Sequence, residues 1–360
     1  MMLKAVLFVC AILLAAPAFA QTPQSRWQTE EHDFIARNVT FRSGERLDEV
    51  RIHYATLGQP HRDRRGRIDN VVLLLHGTGG SRRQFLSPQF ADELYGPGQP
   101  LDITRYWIIL VDNIGHGRSS KPSDGLRMRF PQYDYDDMVA LQHRLLTDGL
   151  RVRRARLILG TSMGCMHGFV WGETYPDFAQ AIMPLACEPI EIAGLNRMWR
   201  QALIDGIRND PAWMNGEYQT QPTAGLRNAA SILSIVGAAP LYFQEQWPTR
   251  DAAATEIRAR IERGMSTADA NDMLYQFESS RNYNPWPNLE RITTHVMWVN
   301  SADDFINPRN FPYPQQALAR MGPNARFRLI EETNDTRGHG THTWAVNWKQ
   351  DLAELLARSE

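Results

Sequence analysis

Gly160-Thr161-Ser162-Met163-Gly164 stands directly after the apolar run Leu157-Ile158-Leu159 and directly before a stretch of helical character, an arrangement few chain paths allow. A G-x-S-x-G pentapeptide between a buried strand and a helix needs a sharp turn, in which the serine backbone is strained and only small neighbours fit. The helix that follows aims N–H groups and the positive end of its dipole at the serine, where a negative oxygen can develop. Ser162 is therefore the candidate nucleophile.

The rest of the chain supplies the sheet that such a turn requires. Short apolar runs alternate with longer amphipathic stretches along the 360 residues, the pattern of an α/β protein with a mostly parallel sheet flanked by helices. Two strands turned at Ser43-Gly44 are expected within 41–57, with others at 71–75, 107–111, 156–159, 181–186, 295–300 and 326–330. Helices are expected at 134–149, 163–175, 310–321 and 342–357. Between Glu188 and Asn288 the strand signal disappears and the sequence becomes helical and rich in Trp, Met and Tyr. The expected division is a core of 21–189 and 286–360 with a helical cap, 190–285, inserted over the carboxyl ends of the strands.

A serine hydroxyl is a weak nucleophile and needs a base, with a carboxylate to hold the base in the right tautomer. The strand at 295–300 runs into Asp303 and Asp304, and either carboxylate could serve. After the last strand comes Arg337-Gly338-His339-Gly340-Thr341-His342, in which His339, between two glycines, is the preferred base and His342 the alternative. His76-Gly77-Thr78-Gly79-Gly80 follows an early strand, so the backbone N–H of Thr78 pairs with that of Met163 as the expected oxyanion donors. His116, in Gly115-His116-Gly117, reads as a structural histidine in a strand-end turn. The spacing of His339 and His342 lacks a nearby third ligand, so neither a metal nor a cofactor is expected.

The first twenty residues have a basic start at Lys4, an apolar run from Ala5 to Ala16, and Ala18-Phe19-Ala20 before Gln21. That is the pattern of a secretory signal peptide cleaved after Ala20, and it predicts a periplasmic or secreted protein without stable membrane insertion. Cys165 and Cys187 would remain, both expected as buried thiols, with a bridge between them open but unsupported. Lys and Arg total 39 against 40 Asp and Glu, and the one basic run is Arg151 to Arg156, so nucleic acid is not an expected partner. A small acyl substrate is the expected partner, and a homodimer is left open.

Together these residues resemble the α/β-hydrolase superfamily and, within it, the homoserine O-acetyltransferase-like branch. The branch resemblance is carried by Pro100-Leu101-Asp102, by the elbow helix continuing to Tyr175-Pro176-Asp177, and by Asn209-Asp210-Pro211-Ala212-Trp213 with Gly216-Glu217-Tyr218. The resemblance implies the α/β-hydrolase fold and the chain order Ser, Asp, His, and it favours Asp304, because Pro308 matches a proline four residues after the acid. Two departures argue against amino-acid recognition. Gly340 stands where such transferases carry an aspartate for the substrate amino group, and Ile232 to Val236 replace a Thr-Tyr-Arg stretch. With export, these departures point to an exported serine hydrolase of carboxylic esters as the first expectation. An acyltransferase using the same triad is the alternative, and a binding module that has lost catalysis is a third reading.

Overall fold

Four consecutive apolar runs, β3 (Val71–Leu75), β4 (Trp107–Val111), β5 (Leu157–Thr161) and β6 (Ala181–Leu185), form the buried centre of one sheet. Their runs are continuous because alternate residues feed opposite layers: Leu73 and Leu75 enter one apolar cluster, Val72 and Leu74 the other. The computed structural model describes residues 26–360, and the expected signal peptide at 1–20 lies outside the described residues. With β1 (Glu30–Thr40), β2 (Arg46–Leu57), β7 (His295–Ser301) and β8 (Ala325–Ile330), the spatial order is β1-β2-β4-β3-β5-β6-β7-β8. β1 and β2 pair antiparallel, as do β2 and β4, and the remaining pairs are parallel.

The helices sort by face. α1 (Pro88–Leu94) and, at the end of the chain, α10 (Lys349–Arg358) send Phe90, Leu94, Leu352 and Leu355 into one cluster. On the other face, α2 (Tyr135–Arg144) sends Met138 and Leu141, α3 (Met163–Thr174) Phe169 and Val170, and α9 (Tyr313–Met321) Ala317 and Met321. α3 is buried from Met163 through Glu173, so it carries no polar stripe, which suits a helix enclosed on all sides. Between β6 and β7 come α4 (Gly194–Arg208), α5 (Thr223–Val236), α6 (Pro240–Gln246), α7 (Arg250–Met265) and α8 (Ala270–Glu278). Leu203, Ile207, Leu226, Ala229, Leu274 and Phe277 join α4, α5 and α8 in an apolar cluster of their own. Among the described residues no single helix is long and apolar enough to cross a membrane.

Three local expectations are corrected. The first strand is Glu30–Thr40, ahead of the expected segment; it is an edge strand, mostly exposed, and its charged residues hide the strand pattern. The turn lies where expected, with Gly44 at φ +88° and its N–H bonded to the Phe41 carbonyl at 2.8 Å. The last helix begins at Lys349 instead of 342, because two short 3₁₀ turns, Gly340–Thr343 and Ala345–Asn347, come first. Cys165 and Cys187 are bonded as a disulfide, not the two buried thiols expected; the tertiary fold brings their Cα atoms to 5.9 Å, within bonding range.

Candidate active site

Ser162 sits at φ +53°, ψ −110° between the end of β5 and the start of α3. A non-glycine residue there is strained and is held by its surroundings: the Ser162 N–H donates to the Leu185 carbonyl at 2.8 Å, and the Gly164 N–H to the His76 carbonyl at 3.1 Å. The two glycines of the pentapeptide are required by space. A Cβ on Gly160 would lie 1.9 Å from the Gly164 carbonyl oxygen, and one on Gly164 would lie 2.0 Å from the Leu75 carbonyl oxygen. The turn closes only when both are bare.

Strand β7 and the loop after β8 deliver the partners. His339 Nε2 lies 2.8 Å from Ser162 Oγ, and its Nδ1 lies 2.8 Å from Asp304 Oδ2. Asp304 is buried, and its Oδ1 accepts the Ile306 N–H while its Oδ2 also accepts from Asn307 Nδ2, both at 2.8 Å. Burial by itself would raise the Asp304 carboxyl, but the neighbouring His339 and these donors outweigh it and hold the carboxyl below its usual range. The carboxylate therefore stays charged and fixes the imidazole with Nδ1–H toward itself and Nε2 toward the serine.

The alternatives occupy other positions. Asp303 does not touch the ring: its Oδ2 accepts the Gly338 N–H at 2.8 Å and its Oδ1 accepts from Ser301 Oγ. His342 packs its ring against that of His339 with centroids 5.1 Å apart, and burial, then the His339 charge, push it down to about 3. His116 is sealed in the core, Nδ1 at 3.0 Å from the Ile114 carbonyl and its ring beside His76. A Cβ on Gly77 would stand 3.3 Å from Ser162 Cβ and 3.8 Å from Oγ, which puts the Gly77-Thr78 peptide beside the serine. Met163 opens α3 directly after the serine. Among the described residues no group of three or more His, Cys, Asp or Glu is arranged to hold a metal ion.

The serine faces a cavity of about 370 Å³, walled mainly by apolar side chains including Met166, Ile192, Trp199, Val236, Phe277 and Phe305. A second cavity of about 540 Å³ shares Thr78, Leu233 and Phe277 with the first. Three lining residues escaped the sequence reading. Cys187 belongs to the disulfide that ties the first turn of α3 to the end of β6. Arg200, on α4, is buried; Nε donates to Asn196 Oδ1 at 2.8 Å, Nη1 to Ser280 Oγ at 3.4 Å, and the guanidinium stacks on Trp199 and Phe277. Among the described residues it is the one Lys or Arg in the lining, and no carboxylate lies within 4.0 Å of its guanidinium. Glu188 is the third. The available signal for the arginine was its helical spacing, which puts Arg200 on the face of α4 that buries Leu203, Ile204 and Ile207.

The model of the alpha/beta hydrolase family matches residues 72–355. The chain belongs to the alpha/beta hydrolase family. This α/β-hydrolase falls in the homoserine O-acetyltransferase-like branch: it is 30% identical over 343 residues to the homoserine O-acetyltransferase of Trichlorobacter lovleyi, covering 82% of this chain and 90% of that one. A probable acyltransferase of Methanothermobacter thermautotrophicus is 29% identical over 301 residues, 83% of this chain and 89% of the other. In three dimensions the homoserine O-acetyltransferase of Bacillus anthracis superposes with a TM-score of 0.79 at 21% identity, over 91% of this α/β-hydrolase and 97% of that chain.

Proposed function

We propose that this protein is an acyltransferase that works through an acyl-enzyme on Ser162. The observation that carries the reading is the relay Ser162, His339, Asp304, with 2.8 Å at each link. His339 Nε2 takes the hydroxyl proton as Ser162 Oγ attacks the acyl carbon of the donor, and the Thr78 and Met163 N–H groups receive the oxyanion. His339 then gives the proton to the leaving alcohol or thiol, and the carbonyl re-forms as the acyl-enzyme. An acceptor hydroxyl attacks next, its proton passing through His339 back to Ser162.

Transfer takes precedence here over the ester hydrolysis expected from the sequence. Acyltransferases among the relatives support it, and so does the mainly apolar wall of the cavity around Ser162. Arg200, a buried cation without a carboxylate partner among the described residues, suits an acceptor that carries a carboxylate. Export of the folded enzyme remains part of this proposal, supported by the pattern of the first twenty residues and by the Cys165–Cys187 disulfide, a bond that persists in oxidising compartments.

The test is a time course of nitrophenol and acetate release from p-nitrophenyl acetate, with and without a hydroxy-acid acceptor, and with Ser162→Ala as control. Transfer predicts that acetate lags behind nitrophenol until the acceptor is added, after which the acetylated acceptor accumulates. Steady acetate release that the acceptor leaves unchanged would return the protein to the ester hydrolases. Turnover by Ser162→Ala would remove the serine mechanism altogether.

A further inference from the structure

His339 reaches Ser162 from a segment with little regular structure of its own. It stands between two glycines, Gly338 at φ +58° and Gly340, and only two short 3₁₀ turns come between β8 and α10. Yet its ring must meet two targets at once, Ser162 Oγ and Asp304 Oδ2, each at 2.8 Å. A loop of this kind takes its precision from the elements around it. The core holds it at Gly338, whose N–H donates to Asp303 Oδ2 at 2.8 Å.

The cap holds it from the other direction in the chain, at the corner where α5 and α6 lie at 101° to one another across Gly237-Ala238-Ala239. The Ala238 carbonyl stands so near Gly338 that a Cβ there would meet it at 2.5 Å. On α6, the ring of Tyr242 carries the Arg337 guanidinium 4.0 Å from its centroid. Arg337 passes that contact on to the loop: Nη1 donates to the Asn334 and Thr336 carbonyls, both at 2.7 Å, and the guanidinium also stacks on Trp344 at 4.8 Å. The neighbours of Tyr242 have a different partner. Phe243 and Trp247 stack on Arg260 of α7 at 4.4 and 4.9 Å, which ties α6 to the rest of the cap.

We propose that Tyr242 is a positioning residue, which acts through Arg337 to hold the His339 loop so that the imidazole stays in line with both Ser162 and Asp304. The inference goes beyond the acyl-enzyme reading and rests on it for the role of His339. A guanidinium is attracted to the face of an aromatic ring, so phenylalanine at 242 would keep the hold and leucine would lose it. The loss has a chemical signature. In acylation His339 takes the proton of Ser162 and then gives it to the leaving alcohol, but a nitrophenolate departs without that second transfer. A misaligned imidazole therefore slows an alkyl ester more than a nitrophenyl ester.

The experiment measures kcat/KM for propyl acetate and p-nitrophenyl acetate in the wild type, Tyr242→Leu and Tyr242→Phe. A displacement of about 1 Å can cost ~100-fold, so Y242L should lose about 10- to 100-fold on propyl acetate and several-fold less on the nitrophenyl ester. Y242F should match the wild type on both. Arg337→Met should repeat the pattern of Y242L, and the double variant should lose no more than either single one, because both break the same link. An equal loss on the two esters overturns the proposal, since it would make Tyr242 a support of the cap alone. So do wild-type rates in Y242L, losses that add in the double variant, or a Y242F as impaired as Y242L. The proton resonance of His339 Nδ1–H on Asp304 gives a readout free of turnover: it should stay sharp in Y242F and broaden by exchange in Y242L, and an unchanged signal in Y242L overturns the proposal as well. If the wild type does not cleave p-nitrophenyl acetate in a Ser162-dependent way, the acyl-enzyme reading has failed, and this resonance alone decides the role of Tyr242.

Discussion

Asp303 accepts the Gly338 N–H at 2.8 Å, one residue before the histidine whose ring its neighbour Asp304 holds. Two adjacent carboxylates therefore divide one task, Asp304 orienting the imidazole and Asp303 the backbone that carries it. Gly338 needs this hold, since it sits at φ +58° and a Cβ there would meet the Ala238 carbonyl at 2.5 Å. Asp304→Asn should lower kcat by ~10³–10⁴ by favouring the wrong tautomer, as expected when the carboxylate of such a triad is replaced. Asp303→Asn should lower kcat by only about tenfold, the scale of one displaced hydrogen bond. Steady-state kinetics on both variants decide the assignment, and equal losses would reject the division of roles.

Glu188 ties stability to pH. Burial, then the Asp304 charge, raise its carboxyl from 4.5 to about 8 in the folded protein, so between these values the folded state holds a proton that the unfolded chain has released. Stability from this group is therefore full below about 4.5 and declines as pH rises through 8. Glu188→Gln removes the penalty. The variant should melt above the wild type at pH 8, by roughly 2 °C or more for each kcal/mol regained, and the gap should narrow toward pH 4.5. Thermal melts at several pH values check this, and a constant gap would contradict it.

The Cys165–Cys187 disulfide closes a separation of 22 residues and joins the helix after Ser162 to the segment that follows β6 and bears Glu188. A loop of that length implies roughly 3 kcal/mol of stabilisation on the chain-entropy account. The double variant Cys165→Ala/Cys187→Ala should lose about that much in urea unfolding. Protein recovered from the export route should begin at Gln21 by mass and give no thiol reaction when denatured without reductant. Two titratable thiols in that sample would argue against an oxidising compartment.

Arg200 should matter through the acceptor. Replacing it with Met removes the one guanidinium that lines the cavity among the described residues, and a charge-assisted hydrogen bond corresponds to a loss of about 10- to 100-fold in kcat/KM for acceptors that carry a carboxylate. Neutral alcohols of the same length should lose far less. The pair of acceptors is the useful measurement, because a guanidinium needed only for packing against Trp199 and Phe277 would affect both equally.

The local signals that were legible are those with short-range causes. Continuous apolar runs announced β3 to β7, and glycines at 160 and 164 announced the turn, because a Cβ at either collides with the chain a few residues away or on the next strand. The edge strand β1 was not legible, since its residues face water and need no apolar pattern. Asp303 and Asp304 could not be ranked from the residues themselves, because the choice depends on which carboxylate the turn after β7 aims at a loop 35 residues further on.

By itself, then, the sequence determined an α/β sheet, a strained serine at a strand end, and the residue types that can activate it, all consequences of steric and apolar patterning over short spans. Only the tertiary structure decided that Asp304 holds His339 and that Cys165 meets Cys187. It also decided that Glu188 and Arg200 line one cavity with Ser162. Those relations join elements far apart in the chain. Their energies depend on distance and burial in the folded state, which no single stretch of sequence contains.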